Sequence, residues 1–366
     1  MVHELGHFIV AKKAGILVEE FGFGIPPKII GKKIGKTIYS LNLFPFGGFV
    51  RLKGEDTQNE KNLAKDEFLA KPPIIRILVL CAGVFMNVVF GSVFFFLVLI
   101  HSNFQSSPML VLGEKPFVFP FGKTVILDSV VTYIKEQSPA QKAGLSYGDY
   151  ISAVVDERGD TMAISSAKEL QSSMDMLKGK KVSLVVENLS SKKTKTVEVI
   201  PEYDNELKRG VIGVGLGSFS FVSYNSPLEK SLSGLLHGVN VTTYSISSMK
   251  YLIAKSLETK SIAPVSAGLS GPVGIYRVVD GVISFGGSSV FYNLLDIMGL
   301  LSFSLAFFNI LPIPALDGGR VLFIIPELVF KKRISSKIEA ISHSVGLTIL
   351  LLLIVLISLK DLFLQR

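Results

Sequence analysis

His3-Glu4-Leu5-Gly6-His7 places two imidazoles four residues apart with a carboxylate beside the first. Residues one helical turn apart share a face, so both rings can present a nitrogen to the same point. Zinc takes nitrogen, oxygen or sulfur donors in tetrahedral geometry, and a catalytic site keeps one position open for water. Two histidines therefore leave one protein ligand to be found. The position of Glu4 points it away from the imidazole pair and leaves it free to accept a proton from water. This is the HExxH arrangement of zinc hydrolases.

The elements that must hold this motif are apolar. The chain has 366 residues, 48% of them hydrophobic, and a mean hydropathy of +0.47, which predicts membrane spans joined to a water-soluble part. Ile77 to Ile100 and Val345 to Leu359, the latter extended by Leu362 and Phe363, are long enough to cross a bilayer. Leu294 to Leu316 reads as a third span, broken by Asp296, Asn309, Pro312 and Pro314. The segment around His3 and His7 is apolar too, yet a crossing needs roughly 20 residues and only two precede His3, so a first span truncated at its N-terminus is expected. It lacks the basic leader and cleavage site of a signal peptide. The lone Cys81 excludes an intrachain disulfide. The net charge of +8 fits a membrane surface, because no aromatic-basic module for nucleic acid accompanies it.

Basic residues set the expected orientation. Lys12, Lys13, Lys28, Lys32, Lys33, Lys36, Arg51, Lys53, Lys61, Lys65, Lys71 and Arg76 lie between the first two spans, and Arg320, Lys331, Lys332, Arg333 and Lys337 follow the third. The positive-inside rule places both groups in the cytoplasm and the segment from about His101 to Lys230 on the far side. The third metal ligand must then come from a span end at the depth of His3 and His7. Asp317, three residues before Arg320, stands at such an end. The preceding prolines halt regular helix, and bare backbone at that depth is tolerated where it faces protein or a water-filled cavity. On the motif Leu316-Asp317-Gly318-Gly319 alone, Asp317 could equally be a solvated turn residue.

These residues resemble the site-2 protease family of intramembrane zinc metalloproteases, in its bacterial regulated-intramembrane-proteolysis branch. The likeness rests on HELGH at His3 to His7, on Asn309-Ile310-Leu311-Pro312-Ile313-Pro314-Ala315-Leu316-Asp317-Gly318, and on Ser270-Gly271-Pro272-Val273-Gly274-Ile275, and it covers nearly the whole chain. It implies Zn2+ held by His3, His7 and Asp317, water activated by Glu4, and Asn309 helping to hold the substrate or its oxyanion. Ala82-Gly83-Val84-Phe85-Met86-Asn87 looks like a further motif of the branch, in which Gly83 permits close helix approach and Asn87 bonds across helices, as simple helix packing would also require. The implied substrates are single-span membrane proteins already trimmed outside the membrane, such as anti-sigma factors, or signal-peptide remnants. The implied location is the bacterial inner membrane, with the site near its cytoplasmic side.

The expected fold class is a multi-span α-helical membrane protein of about four transmembrane helices, the first truncated, with an inserted α+β PDZ-like domain. The first two spans and a cytoplasmic hairpin loop occupy 1–101, a linker 102–121, the PDZ-like domain 122–204, a second linker 205–290, and the last two spans 291–366. The PDZ-like reading rests on the β-branched runs Val125 to Ile134, Tyr150 to Val155, Lys181 to Val186 and Thr194 to Ile200, on a helix over Ser166 to Leu177, and on the run Ser138 to Ile151. Such a groove accepts an extended peptide, and the domain is expected outside the cytoplasm. In the second linker, Leu232, Leu235, Leu236, Val239, Ile246, Met249, Leu252 and Ile253 recur at helical spacing, as in an amphipathic helix on the outer leaflet.

Ile38 to Leu43 and Phe49 to Lys53 flank Phe44-Pro45-Phe46-Gly47-Gly48 and predict a hairpin turning at those glycines. Gly47, Gly48 and Phe49 could then offer an edge to an unwound substrate by strand addition. A proteolytically inactive scaffold recruiting partners through its PDZ-like domain is the main alternative, against which the retained Glu4 argues. A zinc transporter would need further ionisable residues along its spans.

Overall fold

In a computed structural model of the chain, residues 1–55, 63–113, 116–189, 193–285 and 287–363 are described; Lys61 of the basic loop lies outside them. Two compact units result, one from Met1–His101 with Ser231–Arg366 and the other from Ser102–Lys230.

The first unit begins with helix α1 (Val2–Lys13), which carries HELGH, and strands β1 (Val18–Ile34) and β2 (Thr37–Leu52). Ile38–Leu43 and Phe49–Leu52 both belong to β2, but they run in opposite directions along Glu20–Phe23: Gly22 meets Ser40 on one side and Phe49 on the other, so the chain reverses between Leu43 and Gly48 as expected, with Gly47 at φ +70°, and the two arms are parted by β1 and not paired with each other. The β1–β2 hairpin itself lies elsewhere. Ile34 pairs with Thr37, so the hairpin turns at Gly35-Lys36, with Gly35 at φ +63°. A two-residue loop with glycine first at positive φ matches the right-handed twist of paired strands. The partner strand was hidden because β1 contains Gly22, Gly24, Pro26, Pro27 and Gly31, which read as loop. Glu20–Phe23 faces Gly48–Arg51 on one side and Ile38–Leu41 on the other, and Ile38–Asn42 in turn faces Lys28–Lys33. Two strands thus supply four segments, with Gly48–Arg51 at one edge.

Helix α2 (Pro73–His101) follows and packs against α1; Ala11, Ile16, Val18, Leu52, Phe68, Val79 and Leu80 form the shared core.

The second unit is β-rich. Its elements are β3 (Met109–Leu110), β4 (Lys123–Ile134), α3 (Pro139–Lys142), β5 (Asp149–Val155), β6 (Thr161–Ala163), α4 (Ala167–Met176), β7 (Val182–Asn188), β8 (Thr194–Val199), β9 (Glu202–Asp204), β10 (Arg209–Val211) and β11 (Val214–Ser223). Seven strands form one sheet in the order β3-β11-β4-β5-β7-β8, with β6 on β5. The sheet extends beyond 122–204, because β11 pairs with β4 along its length. Inward residues such as Val131, Ile151, Val154, Leu184 and Val186 close on Leu170 and Met174 of α4, the alternation expected of strands with one buried face. Ser166 caps α4 by accepting from Glu169 N–H, while the Glu169 carboxylate accepts from Ser165.

The chain returns through α5 (Pro227–Thr259), α6 (Ala263–Gly268), α7 (Pro272–Phe285), α8 (Val290–Ile310), α9 (Asp317–Phe330) and α10 (Ser336–Phe363). Among the described residues α2, α8 and most of α10 are long and apolar enough to cross a membrane. Helix α8 stops at Ile310, ahead of Pro312 and Pro314, as the prolines require. The expected amphipathic helix is α5, but it packs by its small and polar stripe. Ser233, Gly234, His237 and Gly238 are buried, with Gly234 on Ser92 and Gly238 on the Phe303 ring, while Leu232, Leu235 and Val239 face outward. Close approach through small residues is how helices associate when the surrounding medium is itself apolar.

Candidate metal centre

Two histidines of α1 and the distant Asp317 meet in the first unit. His3 Nε2 lies 2.7 Å from Asp317 Oδ2 and 3.1 Å from His7 Nε2, and His7 Nε2 lies 3.4 Å from the same carboxylate oxygen. Donors about 2.0–2.1 Å from a tetrahedral ion stand about 3.3 Å apart, so these three atoms are close to the spacing a shared zinc would impose. The donor set of two neutral imidazoles and one carboxylate is a catalytic-type set that leaves the fourth position free. All three residues are buried or half-buried.

The rings are oriented from behind. His7 Nδ1 donates to the Val79 carbonyl across 2.8 Å, which fixes the tautomer with a free Nε2. The Asn87 carboxamide lies 3.3 Å from His3 Nδ1 and serves the other ring. Gly83, one helical turn from each, clears the space: a Cβ there would lie 2.6 Å from His7 Nε2 and 2.7 Å from His3 Nε2. Gly83 and Asn87 thus bear on the site as well as on helix packing, which spacing along α2 alone did not distinguish. The Val79 carbonyl carries no sequence signal, since any residue supplies one.

Asp317 opens α9 and is presented by the bent connection after α8. Ile313 N–H donates to Leu311 O, Leu316 N–H to Ile313 O, and Gly319 N–H to Leu316 O. Asn309, in the last turn of α8, lines a largely apolar recess with Cys81, Val84, Pro312 and Asp317.

Of the other predicted residues, Gly48 reaches the centre. A Cβ on Gly48 would lie 2.8 Å from Gly22 O and 3.7 Å from the Glu4 side chain, so the edge segment of β2 passes beside Glu4. The Phe49 ring packs over Gly22, and Gly47 has no other group within van der Waals reach of its Cβ position. Among the described residues, the hydrogen bonds of the two imidazoles run to Asp317, Val79 and Asn87 and to neither Gly47 nor Phe49. Among the described residues, Gly48–Arg51 has strand partners on one side.

Residues 1–353 match the sequence profile of Peptidase family M50. A Clostridium perfringens protein named as a candidate zinc metalloprotease is 34% identical, covering 99% of this chain and 94% of that one. The regulator of sigma-W protease RasP of Bacillus subtilis is 28% identical over 98% of this chain and 94% of its own. The solved PDZ domain of the SdrC-like protein of Listeria monocytogenes shares 21% identity over 25% of this chain and 87% of that one, with a TM-score of 0.21, too low to bear on the fold. A donor set suited to zinc, a neighbouring glutamate and a profile match across almost the entire length lead to one conclusion: the chain belongs to peptidase family M50, the site-2 protease family of zinc metalloproteases.

Proposed function

We propose that the chain is an intramembrane metalloprotease that hydrolyses peptide bonds within or near the transmembrane segment of single-span membrane proteins or signal-peptide remnants, after prior trimming. The observation that carries this reading is the meeting of His3, His7 and Asp317 beside Glu4, on helices flanked by spans long enough to cross a bilayer. Zinc bound by those three side chains would polarise the scissile carbonyl and acidify water. Glu4 takes the proton from the attacking water and delivers it to the leaving amine. A helical substrate hides its amides, so it must unwind and find replacement hydrogen bonds. The free edge at Gly48–Arg51, which passes Glu4, is where an extended substrate would add as a strand. Asn309 lines the recess beside Asp317 and would steady the substrate backbone or the oxyanion.

The distribution of Lys and Arg supports a site near the cytoplasmic face of a bacterial inner membrane, with the β-rich, PDZ-like unit on the opposite side offering a peptide groove. The Bacillus subtilis relative is named for the regulator of sigma-W, and anti-sigma factors, which regulate sigma factors, are one substrate class of this proposal. A scaffold without activity would have no use for a carboxylate held beside the donor cluster. The test is incubation of the detergent-purified protein and its Glu4→Gln variant with a panel of single-span substrates, with and without a zinc chelator. Cleavage that survives both the substitution and the chelator would overturn the proposal.

A further inference from the structure

The connection that delivers Asp317 is held from an unexpected side. Ala315, two residues before the carboxylate, adopts φ +81°, a conformation that residues with a Cβ rarely take. Its N–H points out of the turn and donates to His343 Nδ1 of α10 across 3.0 Å. One helical turn on, Gly346 abuts Pro314: a Cβ at Gly346 would lie 2.7 Å from the Pro314 carbonyl carbon and 2.8 Å from its Cβ. Phe323 of α9 flanks the imidazole, with ring centroids 6.2 Å apart. Thus α10 grips two consecutive residues of the bend, one by hydrogen bond and one by contact, with Leu316 alone between them and Asp317. His343 stands at the end of the polar first turns of α10, Ser336 to Ser344, just ahead of the apolar run that begins at Val345.

We propose that His343 is a positioning residue for the metal centre: by accepting from Ala315 N–H it holds the bend in its disfavoured conformation and so sets Asp317 at coordinating distance from His3 and His7. The last span is then part of the centre's framework as well as a membrane anchor. This rests on the reading of Asp317 as a ligand, and the experiment separates the two.

Zinc affinity is measured by chelator competition on the detergent-purified full chain, and the visible spectrum of the cobalt-substituted protein is recorded. Stoichiometric zinc in the unaltered protein together with loss in Asp317→Asn tests the ligand reading; failure there overturns both. Given that, His343→Ala should weaken zinc roughly tenfold and alter the cobalt bands, as removal of an outer-shell partner does. His343→Asn, whose Oδ1 can stand where Nδ1 stood, should restore both. Unchanged affinity and spectrum in His343→Ala, or an Asn variant as impaired as Ala, would overturn the positioning role alone. Should His343→Ala fail to fold, Ala315→Gly is added to it. Glycine takes the positive φ without help, so recovered folding with near-normal zinc affinity is expected, and no recovery counts against the proposal.

Discussion

Gly83 of α2 faces His7 so closely that a methyl group on its Cα would stand 2.6 Å from the imidazole Nε2. Neither neighbour can yield cheaply, because His7 is also tied to the Val79 carbonyl. Gly83→Ala should therefore weaken metal binding at least about tenfold while leaving the spans intact. Metal content after dialysis against a graded chelator series measures this; full zinc occupancy in the alanine variant would contradict it.

Glu4 follows His3 in α1, and its side chain lies beside the edge segment of β2 at Gly48. Glu4→Gln keeps shape and removes the proton acceptor, so zinc should remain bound and turnover should fall about 10²–10⁴-fold. Single-turnover cleavage of a span peptide by zinc-replete protein reads this directly.

Asp317 Oδ2 lies within 3.4 Å of both imidazole Nε2 atoms. Removing its charge by Asp317→Asn should cost metal first and activity as a consequence. Excess zinc should then recover part of the turnover, an outcome not expected of Glu4→Gln. Chelation of the unaltered protein should abolish cleavage reversibly.

Asp361, fully buried near the end of α10, accepts from Gly271 N–H at 2.7 Å and Gly274 N–H at 3.0 Å, joining α10 to the start of α7. Asp361→Ala would leave those donors without their acceptor and should loosen this junction. Faster amide exchange over 271–276, with α2 unaffected, is the expected signature.

In the β-rich unit, the Gly210 N–H donates to Asp175 and holds that carboxyl below the usual aspartate range. A depressed folded-state pKa contributes stability that is complete above the unfolded value, near 4, and is lost as pH falls through the folded one. Exchange at β10 should accordingly quicken below about pH 4, and Asp175→Asn should abolish most of that pH dependence.

The donor motif and the long apolar helices were legible in the chain because each depends on local spacing. Four residues between imidazoles, unbroken apolar runs at α2 and α10, and prolines after Ile310 act over a turn or two, and Asp317 could be singled out from its depth at a span end. The pairing was misread for the opposite reason. The chain does reverse after Leu43, but turn residues are scattered through Gly22–Gly35, and only the register shows that Glu20–Phe23 lies between the two arms and that a further reversal falls at Gly35-Lys36. The inward polar face of α5 likewise follows from what it packs against, since the periodicity of a helix is the same whichever face meets its neighbours. Nor does sequence foretell that His343 would meet Ala315 or that Gly83 would clear the imidazoles. Those contacts join residues 28 and 76 positions apart, and such distances close only when helices pack. What the sequence determined by itself was which atoms could bind a metal and move a proton; the tertiary structure decided how firmly each is held, because orientation is a property of neighbours and not of spacing.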